Sequence, residues 1–241
     1  MIVIPMAGLS SRFFKAGYTK PKYMLEAHGK SLFAHAVNSF SEYFQTESFL
    51  FIVRDILGTV DFIKKEIAVL GIKEAHIFIL DKETKGQAET VYLGLQSISN
   101  SEETITIFNI DTFRPAFRYP ENIERWNGYL EVFEGEGDNW SFAKPESSNS
   151  TKVIETAEKR AISNLCSTGL YYFRSISLFN LSYCDYIAKP ESQWEKGELY
   201  IAPLYNYLIN QKNEVHYHLI KRDEVIFCGV PDEYLLFLKK D

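Results

Sequence analysis

Apolar positions open the chain at once: Ile2 to Pro5 is a short run without a polar residue and predicts a buried strand with no tail before it. Met6 to Lys22 is rich in small and polar residues and reads as a loop. From Ser31, which suits a helix N-cap, Leu32, Phe33, Ala36, Val37 and Phe40 recur at helical spacing. A second apolar run, Phe49 to Val53, predicts the next strand. Val60, Ile63, Ile67 and Leu70 then line one face of a helix over 58–70 that Gly71 stops. A strand over 75–80, a helix over 86–98 and a strand over 104–110 continue the alternation. Strands apolar on both faces, separated by helices, predict a doubly wound parallel sheet with right-handed crossovers through the first 111 residues.

The pattern changes after Asp111. Short strands are expected at 128–134, 139–144, 151–156 and 168–173, divided by turns such as Gly135-Glu136-Gly137-Asp138-Asn139. Helices near 175–188 and 198–212, strands at 215–220 and 225–228, and a last helix from Pro231 complete the expectation. No repeat or linker divides the chain. The predicted fold is therefore one α/β domain, Rossmann-like, with a mostly parallel central sheet and a mixed second half.

Composition narrows the classes. The chain has 241 residues, 46% hydrophobic, with 26 Lys and Arg against 32 Asp and Glu, a net charge of −6. Such a chain buries enough surface for one large core, which excludes a disordered or fibrous protein. The acidic balance argues against a duplex nucleic-acid binder, which needs clustered cations. No run approaches a membrane span and no leader pattern opens the chain, so a soluble cytoplasmic protein is expected. Cys166, Cys184 and Cys228 are odd in number and form no CxxC pair, which disfavours a disulfide framework or a zinc ribbon.

In an open parallel sheet, ligands bind beyond the carboxyl ends of the strands, and three segments fall there. After the first strand, Met6, Ala7, Gly8, Leu9, Ser10 and Ser11 let backbone amides approach an anion, and Arg12 supplies a cationic fork. An ordinary strand-to-helix turn explains the same residues. One glycine, where a dinucleotide fingerprint needs three, disfavours a dinucleotide site, and Gly29-Lys30-Ser31 lacks the rest of a Walker loop, with Met24 five positions before Gly29. Asp111 ends the fourth strand, where it is either a turn-capping residue or a Mg²⁺ ligand. Arg12 and Lys22 favour the ligand reading, because a triphosphate needs cations around its transferring phosphorus.

Met6-Ala7-Gly8-Leu9-Ser10-Ser11-Arg12-Phe13, Lys20-Pro21-Lys22-Tyr23-Met24-Leu25 and Asn109-Ile110-Asp111 together resemble the nucleotidyltransferase superfamily that makes nucleoside-diphosphate sugars and related activated compounds. The likeness runs along the whole chain. It implies a nucleotide-binding half over 1–111 and an acceptor-binding half over 112–241. It also implies catalytic roles for Arg12 on the β- and γ-phosphates, Lys22 on the α-phosphate and Asp111 on Mg²⁺. Gly86, Gln87 and Thr90 correspond to the family's base contacts. Glu158 and Lys159 resemble its Glu-Lys pair, with Arg160 where proline is usual, and Thr168 and Gly169 lie in its acceptor-side strand.

One departure stands out: family members commonly carry a second metal-binding aspartate two residues before a late glycine, and Phe227 precedes Gly229 here. Asp223 or Glu224 is a candidate substitute.

The brevity of the chain resembles the small cytidylyltransferases, among them those acting on phosphoglutamine in capsule biosynthesis, which implies CTP as donor and a phosphorylated small-molecule acceptor. A sugar 1-phosphate enzyme using UTP or dTTP is the alternative, and a homodimer is left open as its assembly. A metal-dependent glycosyltransferase would share the sheet, but its usual D-x-D has Asn109 at the first position. Phe227 keeps an inactive nucleotide sensor in view. His216 and His218, two apart on a strand, lack a third zinc ligand, and Cys166 lacks a nearby histidine in sequence, so both read as structural.

Overall fold

The computed structural model describes residues 1–240. In chain order its elements are β1 (Ile2–Pro5), α1 (Ser11–Lys15), β2 (Glu26–Ala27), β3 (Lys30–Ser31), α2 (Leu32–Val37), β4 (Phe49–Val53), α3 (Thr59–Leu70), β5 (Ala75–Ile79), α4 (Gln87–Leu95), β6 (Ile105–Phe108) and β7 (Thr112–Phe113). There follow β8 (Gly128–Glu134), β9 (Ser141–Pro145), β10 (Val153–Glu158), β11 (Leu165–Phe173), α5 (Ile176–Ile187), α6 (Tyr205–Asn210), β12 (Val215–Ile220), β13 (Ile226–Phe227) and α7 (Pro231–Leu238). No described helix is long and apolar enough to cross a membrane.

The elements gather into two compact units, both discontinuous in sequence. The opening unit comprises Ile2–Glu83, Phe108–Arg118 and the segment from Asp223 onward; the middle unit comprises Met1, Thr84–Ile107 and Tyr119–Arg222.

In the opening unit, β1 pairs with β4 and β4 with β5, all parallel, in the registers Ile2↔Phe49 and Phe49↔Ala75. β1 and β4 are wholly buried, as their unbroken apolar sequences require. β5 departs from the expectation of burial on both faces: it closes the row, and His76 stands exposed beside Glu74. Ser31 caps α2 as expected, its hydroxyl accepting from the Ala34 amide at 3.0 Å, and Gly71 stops α3 in the left-handed region at φ 71°. Phe33, Phe40, Phe49 and Phe51 form the buried aromatic core, each side chain stabilising the unit by about 1.5–3 kcal/mol through burial. The stretch read as a loop over 6–22 contains α1, a single turn and a half pinned by buried Phe13.

The middle unit is built on antiparallel pairs, β8 with β11, β9 with β10 and β9 with β11, while β12 adds to β8 in parallel. The register of β11 against β8 breaks between Ser167 and Tyr171, where Gly169 takes φ 90°, a conformation natural to glycine. Tyr205 is buried behind these strands and donates its hydroxyl to the carbonyls of Tyr129 and Tyr172 at 2.9 and 2.8 Å.

The helix expected over 198–212 is shortened to α6. A tight helical turn over Ala202–Leu204, with Pro203 in its first positions, leads directly into α6, and the helix cannot begin earlier because both backbone polar groups of Leu199 are committed elsewhere: its amide to the Lys85 carbonyl at 3.0 Å, its carbonyl to the Ala88 amide at 2.8 Å.

Candidate active site

In the opening unit the chain leaves β1 at Pro5, and the Met6 amide donates to the Ile52 carbonyl at 2.8 Å, fixing where the following loop departs. Met6 is buried, whereas Gly8, Leu9, Ser11 and Arg12 are exposed and Ala7 and Ser10 are half-buried. Ser10 sits in the left-handed region at φ 52° and turns the chain into α1, accepting the Phe13 and Phe14 amides on its carbonyl at 2.9 and 3.1 Å. Burial of Phe13 on one side of this turn leaves Arg12 on the exposed side, and its guanidinium has no partner among the described residues.

Lys22 follows Pro21, in a tight turn anchored by Tyr23, which is buried and hydrogen-bonded to the Thr59 hydroxyl at 2.8 Å. The Lys22 amide donates to the Ser10 hydroxyl at 3.1 Å, which ties the two opening motifs together. The Lys22 ammonium donates to Asp111 Oδ2 at 2.5 Å, across 89 positions of sequence. Motifs from three stretches of chain thus meet around one ion pair, whose side chains are 20% and 25% exposed and open to an incoming ligand.

The Phe227 departure is also placed. β13 pairs antiparallel with β7, with Phe227 opposite Thr112, and the Cys228 amide donates to the Asp111 carbonyl at 2.8 Å. Gly229 stands beside the carboxylate: a Cβ there would lie 3.1 Å from Asp111 Oδ2. A late glycine therefore does face the aspartate, with phenylalanine where an acid would complete the pattern. Glu224 pairs with Arg114 at 3.4 Å. The acid that sequence reading missed is Glu233, whose Oε2 accepts from the Gly229 and Val230 amides at 2.7 and 3.2 Å and would stand 3.6 Å from a Cβ on Gly229. Its signal was the position three residues after Val230, where an acidic residue closes the first turn of α7.

The donor set decides which metal suits this place. No group of three or more His, Cys, Asp or Glu that could hold a metal ion occurs among the described residues. One carboxylate with water and phosphate oxygens fits Mg²⁺, which is bound by few protein ligands, and does not fit zinc. The Cys228 thiol is pushed up to about 12 by burial and by the charges of Glu233 and Asp111, so it offers no thiolate.

The middle unit holds the other expected residues. Gly86 has φ 151° at the start of α4, and a Cβ on it would lie 2.5 Å from the Leu199 carbonyl oxygen; no other residue fits. Thr90 is buried, and its hydroxyl meets Thr84 Oγ1 at 2.7 Å and the Gly86 carbonyl at 3.2 Å, so it braces the 84–90 turn from inside. Gln87 opens α4 half-buried.

Glu158 ends β10, buried and hydrogen-bonded to the Ser141 hydroxyl; burial raises its carboxyl above the ordinary value. Glu195, raised chiefly by burial, receives the Glu158 amide and lies 3.5 Å from Arg160. Lys159 is half-buried, its ammonium donating to the Tyr200 hydroxyl at 2.6 Å. Thr168 lies inside β11 and turns its hydroxyl to Glu131 Oε1 at 3.1 Å. His216 stacks on Trp126 and bonds Thr151 and Glu214, a structural role, and burial pushes the Cys166 thiol up to about 11.

A scan of protein-family models returns no match, and neither does a search of curated protein sequences. Among solved structures, the nucleoside-diphosphate-sugar pyrophosphorylase from Vibrio cholerae RC9 is 60% identical over 100% of both chains, with a TM-score of 0.97. The inositol-1-phosphate CTP transferase from T. maritima shares the fold at 17% identity and a TM-score of 0.73, over 99% of this chain and 94% of that one. UTP-bound UGPase from Acinetobacter baumannii does so at 16% identity and 0.71, over 98% and 91%. The α/β fold with its mixed, mostly parallel sheet is thus that of the nucleotidyltransferases. The chain belongs to the family of nucleoside-diphosphate-sugar pyrophosphorylases and sugar nucleotidyltransferases, enzymes that transfer a nucleoside monophosphate from a triphosphate to a phosphorylated acceptor and release pyrophosphate.

Proposed function

We propose that this nucleotidyltransferase is a cytidylyltransferase that moves CMP from CTP to a phosphorylated amino-acid acceptor, phosphoglutamine, for capsular phosphoramidate synthesis in the cytoplasm, where CTP is made. The observation that carries the nucleotide reading is the Lys22–Asp111 pair at 2.5 Å, tied through Ser10 to the loop that bears Arg12. A cation and a carboxylate held this way serve a polyphosphate: Arg12 neutralises the departing pyrophosphate, and Lys22 meets charge developing on the α-phosphoryl group. Asp111 would hold Mg²⁺, which when bound supplies further neutralisation of that charge. An acceptor phosphate oxygen attacks the α-phosphorus in line, the bond to the bridging oxygen breaks, and pyrophosphate leaves. The nucleophile is already ionised at pH 7, so no protein base is required.

Residues 1–111 are the nucleotide-binding half in this reading, with Met6, Ala7, Gly8, Leu9, Ser10 and Ser11 wrapping the nucleotide; Gly86 and Gln87 are the base contacts, and Thr90, buried with its hydroxyl on Thr84 and Gly86, braces the turn that carries them. Residues 112–241 are the acceptor half, with Glu158 and Lys159 as contacts; Thr168, buried with its hydroxyl on Glu131, and buried Gly169 shape the strand behind them instead of touching the acceptor. What supports an amino-acid acceptor is the charge around Lys159: Glu158 and Glu195 stand with Arg160 and Lys159, signs of both kinds that suit a phosphate, an ammonium and a carboxylate on one small molecule. The activity for which the Vibrio relative is named favours the second reading, a sugar 1-phosphate acceptor with UTP or dTTP.

The test is a matrix of CTP, UTP, dTTP, GTP and ATP against phosphoglutamine and glucose 1-phosphate with Mg²⁺, following pyrophosphate. Release with CTP and phosphoglutamine supports the proposal; release only with glucose 1-phosphate replaces it with the sugar reading. Nucleoside diphosphate formed from a nucleotide sugar would point instead to a glycosyltransferase, and tight triphosphate binding without turnover to a sensor.

A further inference from the structure

The Lys159 ammonium is held in place before any ligand arrives. Its backbone takes φ 51°, and its amide donates to the Trp140 carbonyl at 2.8 Å, which fixes where the side chain starts. Its Nζ reaches the Tyr200 hydroxyl at 2.6 Å and lies 4.6 Å from the centroid of the same ring, so it sits at the hydroxyl rim of the tyrosine, which accepts from the ammonium. A lysine on four rotatable carbons otherwise samples many rotamers.

Tyr200 is itself fixed by its neighbour. Leu199 exchanges two backbone hydrogen bonds with Lys85 and Ala88, and Gly86 packs on it so closely that no side chain fits between. Lys85 adds an ion pair to Glu191 at 2.8 Å and lies 5.1 Å from the Trp194 ring centroid. The segment from Glu191 to Tyr200 is therefore fastened at the turn that begins α4 and reaches Lys159 at its far end.

We propose that Tyr200 is a positioning residue for Lys159, holding the ammonium where the acceptor's phosphate arrives. This rests on the reading above that Lys159 meets that phosphate. The phenol is a neutral acceptor, and a phosphate oxygen carrying charge is a stronger one, so the ammonium passes its hydrogen bond from the hydroxyl to the phosphate. No bond is made or broken in this exchange.

The test reads Lys159 itself. Acetylation of each lysine by acetic anhydride is followed by mass spectrometry while inorganic phosphate is raised, in the wild-type chain and in Tyr200→Phe and Tyr200→Leu, with exposed Lys15 as internal control. Phosphate is expected to protect Lys159 in the wild type. The half-protecting concentration should rise about tenfold in Tyr200→Leu, equivalent to about 1.4 kcal/mol, and by roughly threefold in Tyr200→Phe, which loses the hydroxyl and keeps the ring's bulk beside the lysine. Graded recovery by phenylalanine separates positioning from general damage, and Tyr200→Phe keeps the test open if Tyr200→Leu fails to fold. Equal protection in all three chains overturns the proposal while leaving Lys159 as the phosphate contact. No protection in the wild type overturns the assignment of Lys159, and the proposal with it.

Discussion

Lys22→Met removes the ammonium from the ion pair and keeps most of the side chain's bulk. At the observed 2.5 Å, Coulomb attraction is about 1.7 kcal/mol with the dielectric of water and about 6.6 kcal/mol with an effective value near 20. The side chains are 20% and 25% exposed, so desolvation and the entropy of holding them offset most of that. A net contribution to stability of about 1 kcal/mol remains. The chemical step depends on the same cation differently: losing one preorganised positive contact costs roughly 10²–10³ in kcat, about 2.7–4 kcal/mol of transition-state stabilisation. Urea unfolding followed by circular dichroism should therefore show a loss near 1 kcal/mol, while pyrophosphate release falls at least a hundredfold. A stability loss above about 3 kcal/mol would mark the pair as structural, and turnover within threefold of wild type would remove Lys22 from the mechanism.

Two further expectations concern the middle unit. Gly86→Ala sets a Cβ 2.5 Å from the Leu199 carbonyl oxygen and 2.6 Å from its amide nitrogen; two hydrogen bonds of about 0.5–1.5 kcal/mol each are lost and a strained backbone adds about 1–3 kcal/mol. Hydrogen exchange at the Ala88 and Leu199 amides should accelerate greatly, and unchanged protection would contradict the packing argument. Glu158 has a carboxyl raised above the ordinary 4.5 chiefly by burial, so its contribution to stability is present below the unfolded value and lost as pH rises through the folded one. Glu158→Gln should therefore gain stability relative to wild type as pH is raised from about 4 to 8, and parallel stability curves would show that this carboxyl titrates alike in both states.

The elements that sequence pattern foretold are those whose signals lie in their own residues. β1 and β4 are unbroken apolar runs, Ser31 and Gly71 bound their helices, and Pro231 begins α7, so each was legible from its own residues. The exceptions depend on partners far along the chain. Residues 198–201 were expected to open the helix, yet Leu199 bonds to Lys85 and Ala88 instead, and helical turns start only at Ala202. β5 is apolar enough for burial but closes its row. At the candidate site, residue types marked Lys22 and Asp111, while their direct pairing, and the approach of Gly229 to Asp111 through β13 and β7, belong to tertiary structure. Tyr200 escaped notice as a partner of Lys159 because 41 residues separate them.

The central claim is that Arg12, Lys22 and Asp111 serve one nucleoside triphosphate. Calorimetric titration with CTP and Mg²⁺ tests it most directly, comparing wild type with Arg12→Gln, a change at an exposed side chain with no partner among the described residues. Wild type should bind CTP, and Arg12→Gln should bind it about 10- to 100-fold more weakly, the loss of one charge-assisted phosphate contact of about 1.5–3 kcal/mol, with its melting temperature unchanged. Equal CTP affinity in the two proteins would contradict the account.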